Sequence, residues 1–251
     1  MPSKKVAHKK IPETDAIFEQ LSQVHARADA DEHILRISLD AKATILIGNY
    51  SRGGQSRLII KALDHDFRPE EKLTPFGIYL PQYHELYLYF TNSKVTSDFI
   101  VDCLQQFWIT QKDRFPQINT LLLNLDNGPE NHSRRTQFMK RITDFVDDFL
   151  IHVHLAYYPP YHSKYNPIER VWGVLEQHWN GSLLDTCETV LQFAQTMRYR
   201  GQHPIIQFVQ KIYHTGVRLT QKAMAELEKR FVRLAALPKW FVQIAPFINC
   251  L

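Results

Sequence analysis

Residues 157–172 read YYPPYHSKYNPIERVW and carry the strongest local structural signal in the chain. The pattern predicts the end of a strand, a proline-rich turn and the first turns of a helix. Asn166 is a favourable N-cap, Pro167 suits the first helical position, and Glu169 then occupies the capping-box position. Glu169 is therefore predicted to lie in the rigid first turn of a helix, either as a capping carboxylate alone or as a functional acid.

Two further carboxylates come at the ends of predicted strands. Asp40 ends a strand over residues 33–40, and Asp126 ends a buried-type strand over residues 120–126. If these strands are parallel neighbours, both carboxylates emerge at the same edge of the sheet, where ligands bind in open α/β proteins. Glu169, on the helix after the next strand, can reach that edge as well.

Three carboxylates at one edge repel one another unless something positive lies between them, most simply one or two divalent metal ions. Hard oxygen ligands favour Mg²⁺ or Mn²⁺, and no His and Cys spacing indicates a zinc site. Two such ions about 3.5–4 Å apart activate a water or a 3′-hydroxyl and stabilise the leaving oxygen of a phosphodiester. We therefore expect two Mg²⁺ or Mn²⁺ ions.

The order of predicted elements indicates an α/β protein with a mixed sheet. A three-strand antiparallel meander comes first, and strands then alternate with helices, which gives five strands with helices on both faces of the sheet. The predicted strands are 33–40, 44–47, 85–90, 120–126 and 151–158. The predicted helices are 96–108, 131–148, one that begins at Pro167, and then 183–199, 204–213 and 221–234.

The same pattern divides the chain into three parts. Residues 1–32 are expected to form a basic N-terminal arm with a short helix, and residues 33–181 the core. Residues 182–251 are expected to form a helical C-terminal extension that packs on the core.

The composition is that of an ordinary globular protein with a slight excess of positive charge. The chain has 251 residues, of which 44% are hydrophobic and 22% charged, and its net charge of +4 is compatible with a polyanionic partner. Three widely spaced cysteines form no CxxC pair and no disulfide framework, which indicates a reducing cytosol. No apolar run approaches the roughly 20 residues of a membrane span, and the start is not a signal peptide. We expect a cytoplasmic protein without membrane contact.

Two runs, LDNGP at 125–129 and YPPYHSKYNPIE at 158–169, resemble the second and third acidic motifs of DDE transposases. The sequence is most similar to the Rhodopirellula-type transposase DDE domain of bacterial insertion sequences, and its motifs are similar to those of mariner-type transposases. The supporting stretches, which with these runs cover nearly the whole chain, are RISLD (36–40), IGNYSRGG (47–54), TPFG (74–77), TSDFIVD (96–102) and LPKW (237–240).

This resemblance implies an RNase H-like catalytic core and metal-dependent cleavage and strand transfer of transposon DNA. It implies that Asp40, Asp126 and Glu169 are the catalytic residues and the metal ligands. Candidates for DNA contact near the predicted site are Lys164, Arg52, Arg57, Arg170, Asn127 and His162. The expected partners are the transposon ends and target DNA, bound by a homodimer or a larger assembly at the nucleoid.

One departure from the family pattern concerns the N-terminus. Full-length members carry a helix-turn-helix region before the catalytic core, and residues 1–30 leave no room for it. We therefore expect a core or truncated copy that binds DNA without recognising transposon ends.

Alternatives remain open for individual residues. Glu176, seven positions after Glu169, lies on nearly the same helix face and is a second candidate for the third acid. The Asp-His-Asp cluster at 64–66 is either a solvated turn or a metal site, and Lys164 either contacts the scissile phosphate or lies on the surface. Three tyrosines either stack on bases or pack in the protein, and these are Tyr157, Tyr158 and Tyr161.

Alternatives also remain open for the function. A stand-alone nuclease of the same fold would keep the metal site, whereas a DNA- or protein-binding remnant would keep the fold without transposition.

Overall fold

The computed structural model describes residues 10–48 and 71–247. In this part of the chain nine strands form one sheet: β1 (Ile34–Ala41), β2 (Ile45–Ile47), β3 (Glu71–Leu80), β4 (Glu85–Thr91), β5 (Thr120–Leu125), β6 (His152–Tyr157), β7 (Ile205–Val209), β8 (Phe231–Arg233) and β9 (Phe241–Ile244). The α-helices are α1 (Thr14–Ala30), α2 (Ser97–Gln111), α3 (Thr136–Phe149), α4 (Glu169–His178), α5 (Cys187–Thr196) and α6 (Gln221–Glu228).

The sheet is mixed, and its order is β7-β4-β3-β1-β5-β6-β9-β8, with β2 paired to β3. Strands β1, β5 and β6 are parallel neighbours, and Ser38 of β1 lies opposite Asn124 of β5. The condition stated above, that the strand ending near Asp40 and the strand ending near Asp126 are parallel neighbours, is therefore met.

The predicted count of five strands is wrong, because the described chain contains nine. The unpredicted β3 is the central strand of the antiparallel β1-β3-β4 set, and β2 pairs with β3 rather than with β1 as a hairpin. Pro75 and Gly77 obscure β3 in the sequence, since both residue types are disfavoured inside strands.

The predicted all-helical C-terminal part is also corrected. The run predicted as a helix over 204–213 contains β7, which pairs in parallel with β4. The helix predicted over 221–234 ends at Glu228, and β8 and β9 then form an antiparallel pair, with β9 against β6. Short runs rich in Ile, Val and Phe can form either a helix or a strand. Here they form strands, because β7 pairs with β4 and β9 pairs with β6.

Helices cover both faces of the sheet, as predicted. Along β1, Leu35, Ile37 and Leu39 belong to the apolar core that also contains side chains of α2 and α3. The alternate side chains face the other way: Arg36 pairs with Asp29 of α1, at 2.8 Å between Nη2 and Oδ2.

The predicted short N-terminal helix is α1, which is 17 residues long and docked on the sheet. Ile17, Leu21 and Ala28 on its inner face are buried. Helix α1 thus contributes to the core, and residues 1–9 of the basic arm predicted before it lie outside the described residues. Across residues 10–48 and 71–247, every helix is too short or too polar to cross a bilayer.

Asp102 on α2 forms hydrogen bonds with α3 and with the segment that follows β7. Its carboxylate accepts hydrogen bonds from Arg141 of α3 (2.7 Å), from Lys211 Nζ (2.7 Å) and from Tyr213 Oη (2.9 Å). Burial alone would raise the pKa of Asp102, but these donors outweigh it and hold the pKa below its usual value. A carboxylate with a lowered pKa stabilises the fold above its ordinary pKa and loses that contribution as the pH falls through the lowered one.

We therefore expect Asp102→Asn to destabilise the protein by about 1.5–3 kcal/mol near pH 7. The difference from wild type should shrink as the pH falls below the ordinary aspartate pKa of about 4. Urea unfolding over a pH series measures this. Asp144→Asn is the matched control, because Asp144 forms an exposed pair with Lys140 one turn away and should cost less than about 0.5 kcal/mol. Equal effects of the two substitutions would contradict the prediction.

Candidate active site

Asp40 lies near the end of β1, opposite Gly77 of β3, and is only 7% exposed. The indole Nε1 of Trp172, on α4, donates a hydrogen bond to Asp40 Oδ2 at 2.8 Å. This contact requires close packing, since a Cβ built on Gly77 would lie 2.7 Å from Ile168 Cδ1 and 2.8 Å from Trp172 Cη2. Gly77 therefore provides the space in which the indole reaches the carboxylate.

Asp126 follows the last residue of β5 and is half-buried. Its Oδ1 accepts hydrogen bonds from Gly128 N (3.0 Å) and from Asn131 Nδ2 (2.8 Å), which fix the turn after the strand. Asn127 has a left-handed φ of 62°, and a Cβ on Gly128 would lie 3.2 Å from both Asp126 carboxylate oxygens. Because Ser38 and Asn124 are in register, two more residues along each strand bring Asp40 level with Asp126.

Glu169 is the first residue of α4, and its N–H donates to the carbonyl of Asn166 at 3.0 Å. The predicted N-cap role of the Asn166 side chain is wrong. Its Oδ1 accepts from Ser38 Oγ (2.5 Å) and its Nδ2 donates to the Leu39 carbonyl (3.0 Å), so the side chain is fully used by β1. The N-cap position of α4 is Ile168, which has no side-chain acceptor.

A buried brace, made of Ser38, Asn166 and Ile168, joins the two elements that carry Asp40 and Glu169. The Ser38 hydroxyl donates to Asn166 and accepts from the Ile168 N–H at 3.0 Å. Ser38 and Asn166 are both fully buried, so breaking either bond would leave a buried polar group unsatisfied, at a cost of about 1–3 kcal/mol. Sequence reasoning missed this brace, although Ser38 and Asn166 each lie within three residues of a predicted acid.

The charges of Asp126 and Glu169 act on Asp40. Burial and then the neighbouring Asp126 raise the pKa of Asp40 to about 8, and Glu169 adds a smaller increase. The Trp172 hydrogen bond works in the opposite direction. The fold thus brings Asp40, Asp126 and Glu169 within electrostatic reach, at the carboxyl ends of β1 and β5.

This donor set consists of hard carboxylate oxygens, which suits Mg²⁺ or Mn²⁺. Within the described ranges, no group of three or more His, Cys, Asp or Glu side chains is placed so that it could hold a metal ion.

Glu176 has other partners. Lys42 Nζ lies 2.5 Å from Glu176 Oε1, and the Trp179 indole donates to Glu176 Oε2 at 3.0 Å. The Lys42 side chain is only 10% exposed, so Glu176 neutralises a largely buried cation.

The predicted DNA contacts fall into four groups. Lys164 and Arg170 are exposed, and the Lys164 ammonium lies 5.3 Å from the centre of the Tyr165 ring. Asn127 is half-buried in the turn after β5. His162 is only 5% exposed and packs edge-on against Phe18 of α1, so its ring serves packing in this structure. Arg52, Arg57 and the cluster at 64–66 lie outside the described residues.

The three tyrosines of the predicted turn differ in their exposure to solvent. Tyr157 and Tyr158 are buried, and Tyr157 Oη donates to the Asn131 carbonyl at 2.8 Å. Tyr161 is 65% exposed and has a left-handed φ of 66°.

The contact between Gly77 and Trp172 yields a prediction. Gly77→Ala should destabilise the protein by about 1–3 kcal/mol, because the added methyl overlaps the indole and the Ile168 side chain. Gly173→Ala, on the same helix as Trp172, is the control: nothing lies within 4 Å of its added Cβ, and a helical glycine-to-alanine change should stabilise by about 0.5–1 kcal/mol. Thermal or urea unfolding measures both, and a stabilising Gly77→Ala would disprove the packing argument.

The family model for the Rhodopirellula transposase DDE domain matches residues 1–246 of the chain. No curated protein matches it. Two solved structures have a similar fold: the Mos1 transposase paired-end complex with left transposon end (14% identity, TM-score 0.53) and the Mos1 mariner paired end complex with Mn (14% identity, TM-score 0.54). Each match covers 77% of this chain but only 56% and 57% of the Mos1 chain, so this chain spans little more than half the length of those relatives.

Proposed function

We propose that this chain, which belongs to the Rhodopirellula transposase DDE-domain family, is an enzyme of the polynucleotidyl-transferase type whose chemistry is carried by Asp40, Asp126 and Glu169. The reaction proposed is metal-dependent cleavage of DNA followed by strand transfer, on an RNase H-like core. The observation that carries this proposal is the parallel pairing of β1 with β5, together with the raised pKa that Asp126 and Glu169 help to impose on Asp40.

Two divalent ions, Mg²⁺ or Mn²⁺, are part of the proposal. When bound, they would supply the positive charge that activates a water or a 3′-hydroxyl and stabilises the leaving oxygen of a phosphodiester. Asp40 and Asp126 would hold them from adjacent strands, and Glu169 from the first turn of α4. The hydrogen bonds from Trp172 and Gly128 fix the orientation of the two aspartates and leave lone pairs on each carboxylate for a ligand.

The proposed substrate is DNA, both the transposon ends and the target. Lys164 and Arg170 are exposed on the turn and helix that carry Glu169, where they can neutralise phosphates that the acidic cluster would otherwise repel. A homodimer or larger assembly on DNA, working at the nucleoid, is the arrangement we propose.

Supercoiled plasmid provides a direct test. The purified chain should convert it to the nicked form with Mg²⁺ or Mn²⁺ and leave it intact in EDTA. Strand transfer is then tested by joining a labelled oligonucleotide with a free 3′-hydroxyl to the plasmid. Nicking without joining would favour a stand-alone nuclease, and binding without nicking would favour a remnant that has kept only the fold.

A further inference from the structure

A second feature lies directly beyond Asp40 along the chain. A cleft of about 900 Å³ is lined by residues that follow β1 and by parts of β2, β3 and the segment after β4. We name it the lysine cleft after its three cations, Lys42, Lys72 and Lys94. Neutral polar side chains, including Thr44, Thr74 and Asn92, line much of the remainder.

The charged side chains among the described residues that line the lysine cleft are all basic. The whole chain carries 30 basic and 26 acidic residues, yet no carboxylate is among the described residues that line this cleft. Lys72 and Lys94 are exposed, and neither forms an ion pair within residues 10–48 and 71–247. Two ammonium groups without an ion-pair partner among the described residues therefore line the cleft, and the largely buried Lys42 is held beside them by Glu176.

The polar groups make the cleft suited to an extended anion. Thr44 Oγ1 and Thr74 Oγ1 are hydrogen-bonded to each other at 2.8 Å, and Ser93 Oγ accepts from the Tyr213 N–H at 2.7 Å, so the walls are fixed. Lysines act as point charges that bind phosphates without reading bases.

We infer that the lysine cleft binds the phosphate backbone of a DNA strand as it leaves the acidic site, with Lys72 and Lys94 as the contacts. This inference rests on the proposed function for the identity of the anion. Its physical reason is local: a phosphodiester placed at Asp40 continues into the neighbouring surface, and Ala41 and Lys42, the next two residues, already line the cleft. Cations there offset the repulsion between DNA and the acids.

DNA binding in EDTA isolates this role from cleavage. Fluorescence anisotropy of the full chain with a labelled duplex, measured across a salt series, should show roughly fivefold weaker binding at about 0.1 M salt for Lys72→Gln and for Lys94→Gln. Each substitution should lower the slope of log K against log salt by about 0.9, and the double variant by about 1.8. Lys112→Gln is the matched control, because Lys112 is exposed in the turn before β5, at the opposite end of that strand from Asp126.

The control should bind within about twofold of wild type, and all variants should unfold at the wild-type temperature. A double variant with wild-type affinity and salt slope would overturn the inference, as would a wild-type chain that does not bind DNA. Plasmid nicking by the wild type is a separate measurement. If the chain does not nick but the lysine effects on binding are present, the catalytic proposal fails and the cleft assignment stands.

Discussion

Replacing Asp40 with asparagine is expected to reduce metal-dependent nicking about a thousandfold or more and, at the same time, to stabilise the metal-free protein. The loss of activity follows from losing a charged ligand: metal charge stabilisation is worth several kcal/mol, and each 1.36 kcal/mol is tenfold in rate. The gain in stability follows from the surroundings of the carboxyl group, which are unfavourable for a charge.

The sign of the stability effect comes from the pKa. Burial and the Asp126 charge raise the pKa of Asp40 to about 8, far above the ordinary value of about 4 that it has in the unfolded chain. Between these two values the folded protein binds more protons than the unfolded one, so the stability of the metal-free protein falls as the pH rises from about 4 to about 8. Asparagine has nearly the same shape and no charge, so the variant should be more stable than wild type near pH 8, by several kcal/mol on the linkage relation, and little changed near pH 4.

Urea unfolding in EDTA at both pH values, beside a plasmid-nicking assay with Mn²⁺, tests the two effects in one variant. Asp144→Asn, an exposed aspartate on α3, should change neither stability nor nicking appreciably. If Asp40→Asn nicks at the wild-type rate, or is less stable than wild type near pH 8, Asp40 does not have the role proposed.

The strands that position the acids could be predicted from the sequence because their signal is local. Leu121, Leu122 and Leu123 form a short continuous apolar run, typical of a strand covered on both faces, and all are buried in β5. The alternation along β1 likewise separates its two faces. These local patterns also predict where each strand ends, and so they place Asp40 and Asp126 at the strand ends.

The elements that escaped prediction depend on partners far away in the chain. Strand β3 contains Pro75 and Gly77, and the reason for Gly77 is visible only when Trp172 is placed over it. Strand β7 is defined by pairing with β4, more than a hundred residues earlier. A strand made by non-local pairing leaves a weak local pattern, so the sequence favoured a helix there.

The candidate site likewise has features that follow from local sequence and features that depend on distant residues. The rule that asparagine before proline caps a helix is local, and it predicted a helix start at Pro167, two residues before α4 begins at Glu169. The Asn166 side chain instead bonds Ser38, which lies 128 residues away, because a buried hydroxyl and a buried amide satisfy each other there. The same bonds that displace the cap tie the start of α4 to β1, the strand that carries Asp40.

Glu169 and Glu176 should therefore respond to substitution in opposite ways. Glu169→Gln is expected to lower nicking about 100- to 1,000-fold, because it removes a charged oxygen from the acidic cluster. The stability of the Glu169→Gln variant should stay close to wild type, because the Glu169 charge that is removed disfavours the ionised form of Asp40. Glu176→Gln should leave nicking within a few-fold of wild type, because seven residues at 1.5 Å place it about 10 Å further along the helix axis.

The second substitution should instead cost stability. A neutral amide in place of the Glu176 carboxylate cannot neutralise Lys42, whose side chain is only 10% exposed, and an unpaired cation at that depth should destabilise the fold by about 1–3 kcal/mol. Nicking assays and urea unfolding on both variants separate a catalytic acid from a structural one, because each variant is the other's control. Loss of nicking in Glu176→Gln alone, or equal loss in both, would move the third acid away from Glu169. A loss of activity confined to Glu169→Gln, with a loss of stability confined to Glu176→Gln, is the result that the contacts of Lys42 and Asp40 require.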